Sequence, residues 1–175
     1  EGVSKETAKS AAKSHQNPIQ RVMTLLAEIF TPIIPAIIVG GLILGFRNVI
    51  DQVQWGFLDG QTIAQHSQFW SGISSFLWLP GEAIFQFLPV GIVWSVSRKM
   101  GTSQILGIVL GICLVSPQLL NAYNVASTPA AEIAKKWVWD FGFFTVRRIG
   151  YQGQVIPALL AGLSLSYLEI FWRKK

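Results

Sequence analysis

The chain has 175 residues, of which 51% are hydrophobic and only 13% are charged, with a mean hydropathy of +0.44 and seven tryptophans. A soluble globular domain carries about twice that charged fraction, so the composition favours a membrane protein. The formal net charge of +5 does not indicate nucleic-acid binding, because most basic residues lie outside the apolar stretches and act as topology signals. The lone Cys113 excludes an intramolecular disulfide and a cysteine-based metal site.

The first segment, residues 1–20, is polar and rich in alanine, lysine and serine, without the apolar core and cleavage site of a secretory signal. This composition is typical of a linker between domains. Because the chain begins in such a linker without methionine and ends at Lys175 just past a predicted helix, we expect it to be a fragment of a longer protein.

Four long apolar stretches follow the linker, and each approaches or exceeds the ~20 residues that a helix needs to cross the hydrocarbon layer. They are Leu25–Phe46, Phe69–Ser97, Ile105–Tyr123 and Val155–Phe171. Since backbone amides in lipid must find partners within their own segment, these stretches predict helices rather than sheet. The predicted fold class is therefore an all-α integral membrane protein with about four transmembrane helices.

Basic residues flank these stretches and predict their orientation. If both ends of the chain are cytoplasmic, three basic groups fall on the cytoplasmic side, as the positive-inside rule requires: Lys5 to Arg21, Arg98 with Lys99, and Arg173 to Lys175. The loop 124–150 then faces outwards although it carries four basic residues, which conflicts with the rule. Its aromatic and β-branched part, Trp137 to Tyr151, predicts a short β-hairpin or an interfacial re-entrant segment.

Prolines and small residues give the apolar stretches an irregular pattern. Pro32, Pro35, Pro80 and Pro89 each predict a kink, because proline removes a helical hydrogen bond. Small residues recur at a spacing of four, which allows helix backbones to approach closely, either within one chain or in a homodimer. The three sets are Gly41 and Gly45, then Gly107 and Gly111, then Ala158, Gly162 and Ser166.

Glu82 is the strongest functional signal in the apolar stretches. A carboxylate in mid-span costs a few kcal/mol unless it is paired or hydrated, so it marks either a transport pathway or a structural partner for Arg47 or for a backbone group near Pro80. The polar residues Gln118 and Asn121 suit a neutral hydroxylated ligand such as a sugar, and they equally suit hydrogen bonding between helices.

Several sequence blocks resemble enzyme IIC, the membrane component of the bacterial phosphotransferase sugar permeases. They are residues 33–36 (IIPA), 40–50 (GGLILGFRNVI), 81–85 (GEAIF), 88–92 (LPVGI), 105–111 (ILGIVLG), 114–119 (LVSPQL), 121–123 (NAY) and 150–160 (GYQGQVIPALL). Within the glucose superfamily of these permeases, the trehalose-specific members are the most similar. The resemblance covers nearly the whole chain after the linker.

The resemblance implies a bacterial inner-membrane permease that imports trehalose and phosphorylates it in the same cycle. Phosphate then comes from a phosphohistidine carrier through a IIA unit and a cysteine of a cytoplasmic IIB domain, and no cofactor or metal is implied. Residues 1–20 would be the linker from IIB, and residues 21–175 the N-terminal, incomplete part of IIC, which builds a dimer scaffold. Cys113 lacks the sequence context of the IIB phosphocysteine, so we expect the fragment by itself to be inactive.

Seven residues combine the resemblance with the physical argument and are predicted to bind substrate, with scaffold or dimer contact as the alternative: Glu82, Arg47, Tyr151, Gln152, Gln154, Gln118 and Asn121. Glu82 and Arg47 are expected to form a buried charge pair. Two other functions stay open, namely a stand-alone membrane scaffold without sugar chemistry and a sucrose-type permease of the same family.

Overall fold

The computed structural model describes residues 17–174 of the chain, which are mostly helical with one short β-hairpin. In chain order the helices are α1 (Pro18–Phe30), α2 (Ile34–Asp51), α3 (Ile63–His66), α4 (Gln68–Gln86), α5 (Leu88–Lys99), α6 (Gln104–Leu114), α7 (Ala130–Lys136) and α8 (Ile156–Arg173). Strands β1 (Val138–Asp140) and β2 (Thr145–Arg147) lie between α7 and α8, and short 3-10 turns occupy Gly56–Leu58 and Ala122–Asn124.

The first apolar stretch is divided into α1 and α2 by a turn at residues 31–33. Pro35 lies in the first turn of α2, where its missing N–H costs no helical hydrogen bond. Helix α1 begins at Pro18, inside the segment that the sequence predicts as linker, and the side chain of Gln20 accepts a hydrogen bond from the Asn17 N–H at 3.1 Å. The rest of the predicted linker, residues 1–16, lies outside the described residues.

Helices α2 and α4 pack against each other as an antiparallel hairpin. Their closest approach is at Gly40 and Gly81, where a Cβ atom added to Gly81 would lie 2.7 Å from Leu44 Cδ2 and one added to Gly40 would collide with Ile84. Much of the apolar surface of α2 stays exposed, including Ile38, Leu42 and Phe46.

The second apolar stretch is a bent pair, with α4 and α5 meeting at 44°. Helix α4 continues through Pro80, and the break comes at Phe87, where Pro89 occupies the first turn of α5. Of the two proline sites predicted in this stretch, the one at Pro89 therefore coincides with the interruption.

Helix α5 is the centre of a second group of helices and contacts α1, α6 and α8. The buried core of this bundle is formed by Ile29, Ile33, Ile92, Val93, Val96 and Ala158. Two of the predicted small-residue faces pack here: Gly107 and Gly111 of α6 lie against α5, and Gly162 of α8 lies against Val96. Gly41 and Gly45 are exposed, and a Cβ atom added to either would meet nothing within 4 Å in the described chain. Packing of this face within one chain is therefore not observed, and its packing in a homodimer stays a prediction.

The third apolar stretch is helical only in its first half, because α6 ends at Leu114 and residues 115–123 form turns. Pro117 explains this early end, since proline disfavours the helical conformation for the residue before it. The prediction of a helix extending to Tyr123 is thus wrong. Helix α8, in contrast, matches the fourth predicted stretch to within two residues at either end.

The predicted β-hairpin before the last helix is confirmed. Strands β1 and β2 are antiparallel, with Trp139 opposite Val146. Gly142 takes the left-handed conformation at φ 84° in the turn, and the Asp140 carboxylate accepts its N–H at 2.8 Å. The aromatic side chains of Phe141, Phe143 and Phe144 are exposed around this turn.

Among the described residues, α2 is the one helix long and apolar enough by itself to cross a bilayer, and the bent α4–α5 pair is a second candidate if it forms a single span. The mostly helical character and the hairpin are therefore confirmed. Length and hydropathy alone support one or two spans rather than the four predicted.

Candidate functional site

Three non-helical segments converge where α4 ends and α5 begins, and together with the end of α4 they line a cavity of about 380 Å³ that we call the loop pocket. The pocket combines amide side chains with aromatic and apolar ones, a combination suited to a small polar ligand. Its lining consists of Gln86, Phe87, Val115, Pro117, Leu119, Leu120, Asn121, Asn124, Trp137 and Gln152.

Backbone hydrogen bonds fix the segments around the loop pocket. The Leu120 N–H donates to the Arg148 carbonyl at 2.8 Å, and the Gly150 N–H donates to the Leu120 carbonyl at 2.7 Å. The Tyr151 N–H reaches the end of α6, where it donates to the Leu114 carbonyl at 2.9 Å. These bonds join the turn after α6 to the segment before α8, so backbone hydrogen bonds hold the pocket wall together.

Gln152 is the central side chain of this wall and is only 5% exposed. Its Oε1 accepts the Ala122 N–H at 3.0 Å, and its Nε2 donates to the Val115 carbonyl at 3.3 Å. Both ends of the amide are thus engaged with backbone, which agrees with the structural alternative for this predicted residue.

Glu82 reaches the loop pocket through Gln86. The two residues lie one turn apart on α4, and the Glu82 carboxylate accepts a short hydrogen bond from the Gln86 Nε2. The Gln86 carbonyl accepts the Gly153 N–H at 3.2 Å, which connects α4 to the segment before α8. The half-buried carboxylate therefore orients an amide that lines the pocket.

The predicted charge pair between Glu82 and Arg47 does not exist in the structure. Arg47 lies 3.3 Å from the Asp51 carboxylate, its Nε donates to the Ser74 carbonyl at 3.2 Å, and its guanidinium lies 4.5 Å from the centre of the Trp78 ring. The antiparallel register explains the error, because it places Arg47 beside Ser74 of α4. Ser74 precedes Glu82 by eight residues, so Glu82 lies about 12 Å further along the helix.

The other predicted residues are distributed around the pocket. Asn121 lines it, and its Oδ1 accepts the Tyr123 N–H at 3.0 Å. Gln118 lines a neighbouring cavity of about 310 Å³ together with Trp139, and Leu119 borders both cavities. Tyr151 and Gln154 are exposed in the segment before α8. The structure therefore brings Asn121 and Gln152 together and leaves Arg47 apart.

Gln86, Asn124 and Trp137 line the pocket but are absent from the predicted set. Gln86 carried a recognisable signal, since it follows the mid-span carboxylate by one helical turn. Trp137 supplies an aromatic surface, and the Arg148 guanidinium lies 5.8 Å from its ring centre. Nothing in the local sequence distinguishes Asn124 from an ordinary turn residue.

The loop pocket lies part-way along the long bent pair rather than at either end of it. Helix α4 extends for 19 residues on one side of Phe87 and α5 for 12 on the other, or about 28 Å and 18 Å. Among the described residues, no group of three histidine, cysteine or acidic side chains is arranged to hold a metal ion.

Comparison with known proteins identifies the family. The family model of the phosphotransferase system EIIC domain matches residues 27–175. The trehalose-specific EIIBC component of Escherichia coli K12 is 52% identical over 95% of this chain and 34% of its own length. The corresponding component of Bacillus subtilis is 38% identical over 98% of this chain and 36% of its own length.

A sucrose-specific EIIBC component of Staphylococcus xylosus is also similar, at 35% identity over 99% of this chain and 36% of its own length. The chain spans about a third of the length of these relatives. No solved structure shows a significant match to it. The resemblance noted in the sequence is thus confirmed, and the chain belongs to the EIIC family of the phosphotransferase system.

Proposed function

We propose that this chain is the N-terminal part of the membrane domain of a permease that imports trehalose and phosphorylates it in the same cycle. The observation that carries the proposal is the pair of trehalose-specific relatives, 52% and 38% identical over nearly the whole chain. The sucrose-specific relatives are 33% to 36% identical, which makes a sucrose permease the second candidate.

The proposed membrane arrangement has both ends of the chain in the cytoplasm of a bacterium. Contacts between two basic ends support it: Arg173 Nη1 donates to the Gly101 carbonyl at 3.3 Å, and the Glu169 carboxylate accepts the Ser103 N–H at 2.9 Å. The basic residues at the end of α5 and those at the end of α8 therefore lie on the same side. The positive-inside rule assigns that side to the cytoplasm.

We propose that the loop pocket forms part of the sugar pathway. Sugar hydroxyls need hydrogen-bonding groups, and Asn121, Asn124 and Gln86 offer amides beside the aromatic surface of Trp137. The site lies next to the break between α4 and α5, part-way along this bent pair, and substrate sites of other membrane transporters also lie beside broken helices. Glu82 orients Gln86 and is a positioning residue in this scheme.

The phosphate transfer itself is assigned to other parts of the system. We propose that IIA and IIB units pass phosphate to the bound sugar, that residues 1–20 connect IIB to this domain, and that two copies of the domain associate. Cys113 is exposed on α6 and lacks the sequence context of the IIB phosphocysteine, so in this proposal the chain contributes binding and positioning rather than a phosphate carrier. Adding phosphate to the sugar traps it, because a charged product does not recross the hydrocarbon layer.

The test is deletion of the full gene in the bacterium that carries it, followed by uptake of radiolabelled trehalose and of sucrose. Loss of trehalose uptake with normal sucrose uptake is expected. The reverse result would assign the protein to sucrose, and unimpaired uptake of both sugars would favour the scaffold alternative without sugar chemistry. Sequencing the flanking DNA gives independent support if a cysteine-bearing IIB domain precedes residue 1.

The loop pocket is tested separately in the complemented strain. The substitutions Gln86→Ala and Trp137→Ala are expected to raise the KM for trehalose about tenfold or more, since each removes a group that lines the cavity, and tenfold corresponds to about 1.4 kcal/mol of binding free energy. Gln68→Ala is the matched control, because this exposed residue at the start of α4 lines neither cavity. An unchanged KM in both pocket variants would remove the pocket from the sugar pathway.

A further inference from the structure

A second polar cavity, distant in sequence from the loop pocket, lies between α1 and α5. We call it the basic pocket. It measures about 420 Å³ and is lined by Glu28, Thr31, Pro32, Ser95, Arg98 and Lys99. With two cations against one carboxylate, it carries a net positive charge at the end of α5 that is assigned to the cytoplasmic side.

Arg98 is the cation in this pocket that is available for a ligand. Lys99 forms an ion pair with Glu28, whereas Arg98 has no carboxylate partner among the described residues and lies 5.6 Å from the centre of the Trp94 ring. The hydroxyl groups are already engaged, since Ser95 Oγ donates to the Ile29 carbonyl and Thr31 Oγ1 donates to the Ala27 carbonyl. The site therefore offers a planar guanidinium, which suits a phosphate group.

An apolar groove of about 650 Å³ lies between α2, which follows α1, and α4, which precedes α5. Residues that line it include Ala36, Val39, Gly40, Ile43, Ala83 and Ile84. Pro35 of this groove follows Pro32 of the basic pocket by one turn, and Ile33 lies 3.7 Å from the Cβ position of Gly91 between them. Along the first apolar stretch the lining positions recur every three or four residues from Glu28 to Ile43, so the pocket and the groove adjoin along this stretch.

We propose that the basic pocket and the apolar groove together bind one anionic phospholipid. The phosphate would contact Arg98 and share Lys99 with Glu28, while one acyl chain would extend past Pro32 into the groove beside α2. Charge complementarity favours an anionic headgroup over a zwitterionic one. The groove belongs to α2, the helix that is apolar and long enough to span the bilayer and of which only 11% of the residues are buried, so hydrocarbon chains have direct access to it.

The experiment is native mass spectrometry of the purified parent protein with phosphatidylglycerol and with phosphatidylcholine of identical acyl chains. Tighter binding of phosphatidylglycerol, by about tenfold or more, is expected. Arg98→Gln should weaken that binding about fivefold, as expected for one cation near a lipid headgroup, and Arg98→Lys should restore most of it. The single variant leaves the ion pair between Lys99 and Glu28 intact, which protects the fold.

A matched control removes the charge of Lys135, an exposed cation of α7 remote in sequence from the basic pocket, through Lys135→Gln. The lipid preference of this variant should equal that of the unmodified protein.

The groove is tested by Ala83→Leu, which should weaken binding of long-chain phosphatidylglycerol more than that of the dihexanoyl form. Equal affinity for the two headgroups, retention of the preference in Arg98→Gln, or competition by millimolar inorganic phosphate that matches the lipid would each overturn the proposal. Because the readout is bound lipid rather than sugar uptake, the result does not depend on the substrate of the permease.

Discussion

The α2–α4 hairpin and the bundle around α5 contain similar small-residue patterns but use them differently. In the bundle, Gly107 and Gly111 lie directly against α5. In the hairpin, Gly41 and Gly45 have the same spacing and contact nothing else in the described chain, while Gly40, one residue earlier, makes the close helix contact. A spacing of four thus identifies a face on which backbones can approach, and the rotation of the helix about its own axis decides whether that face meets another helix.

The bundle buries more polar side chains than the hairpin, which buries Ser74. In the bundle Ser95 donates to the Ile29 carbonyl and Ser166 lies 3.1 Å from the Thr102 hydroxyl, whereas the Ser97 hydroxyl has no hydrogen-bond partner among the described residues. The outer face of the hairpin is instead apolar and exposed. The bundle is therefore the region whose stability depends on exact packing, and the hairpin presents a surface suited to lipid or to other protein segments.

Substituting the packed and the unpacked glycines tests this comparison most directly. A Cβ atom at position 111 would lie 2.5 Å from Val90 Cα, a backbone atom that cannot turn away as a side chain can. Gly111→Val is therefore expected to destabilise the parent protein by about 3 kcal/mol, the upper range for an overpacked core. Detergent-solubilised protein unfolded in a dodecylsulfate titration, followed by circular dichroism, measures the change.

Gly41→Val is the matched control for that experiment. The added side chain meets no atom of the described chain within 4 Å, so the free energy of unfolding should change by less than about 1 kcal/mol. Equal destabilisation by both substitutions would contradict the difference between the regions. It would show that the face of Gly41 and Gly45 is packed against another part of the parent protein or a second copy.

A substitution of Gln152 tests whether the wall of the loop pocket, like the bundle, is stabilised by buried hydrogen bonds. Replacing it with leucine removes two hydrogen bonds and leaves the Ala122 N–H and the Val115 carbonyl without their partner. The expected loss is about 2 kcal/mol of unfolding free energy, because buried polar groups without partners carry a desolvation cost. The same dodecylsulfate titration measures it.

Gln154→Leu provides the comparison for Gln152, since the residue two positions along is exposed. Its unfolding free energy should stay within about 0.5 kcal/mol of the unmodified protein. If Gln152→Leu also left the free energy of unfolding unchanged, this amide would not stabilise the wall. The prediction that Gln152 binds substrate would then gain support.

The sequence was sufficient for features that depend on local chemistry. Apolar composition predicted the helices, and the aromatic run with Gly142 predicted the hairpin, because both signals arise from short-range physics. Pro117 could have shortened the third helix in the prediction, since the residue before proline avoids the helical conformation. The apolar residues 119–120 and 122 disguised that boundary, and they are buried or half-buried in turns instead.

Features that depend on register were not predictable from one sequence. Arg47 and Glu82 are a plausible pair only if α2 and α4 align at those positions, and the close contact at Gly40 and Gly81 fixes a different alignment. The candidate site shows the same division. Asn121 and Gln152 stood out as amides near the predicted helix ends, whereas Asn124 and Trp137 join them only because the turn after α6 folds back towards α4 and α8.

A double-mutant cycle tests the register of the hairpin with the smallest expected effect. Arg47 and Asp51 lie four residues apart on α2 with their charged groups 3.3 Å apart, so Arg47→Gln and Asp51→Asn should show a coupling of about 0.5 kcal/mol. Arg47→Gln and Glu82→Gln should be additive, because the two side chains have separate partners. A coupling above about 1 kcal/mol between Arg47 and Glu82 would mean that α2 and α4 adopt a second register in the membrane, one in which the charge pair forms.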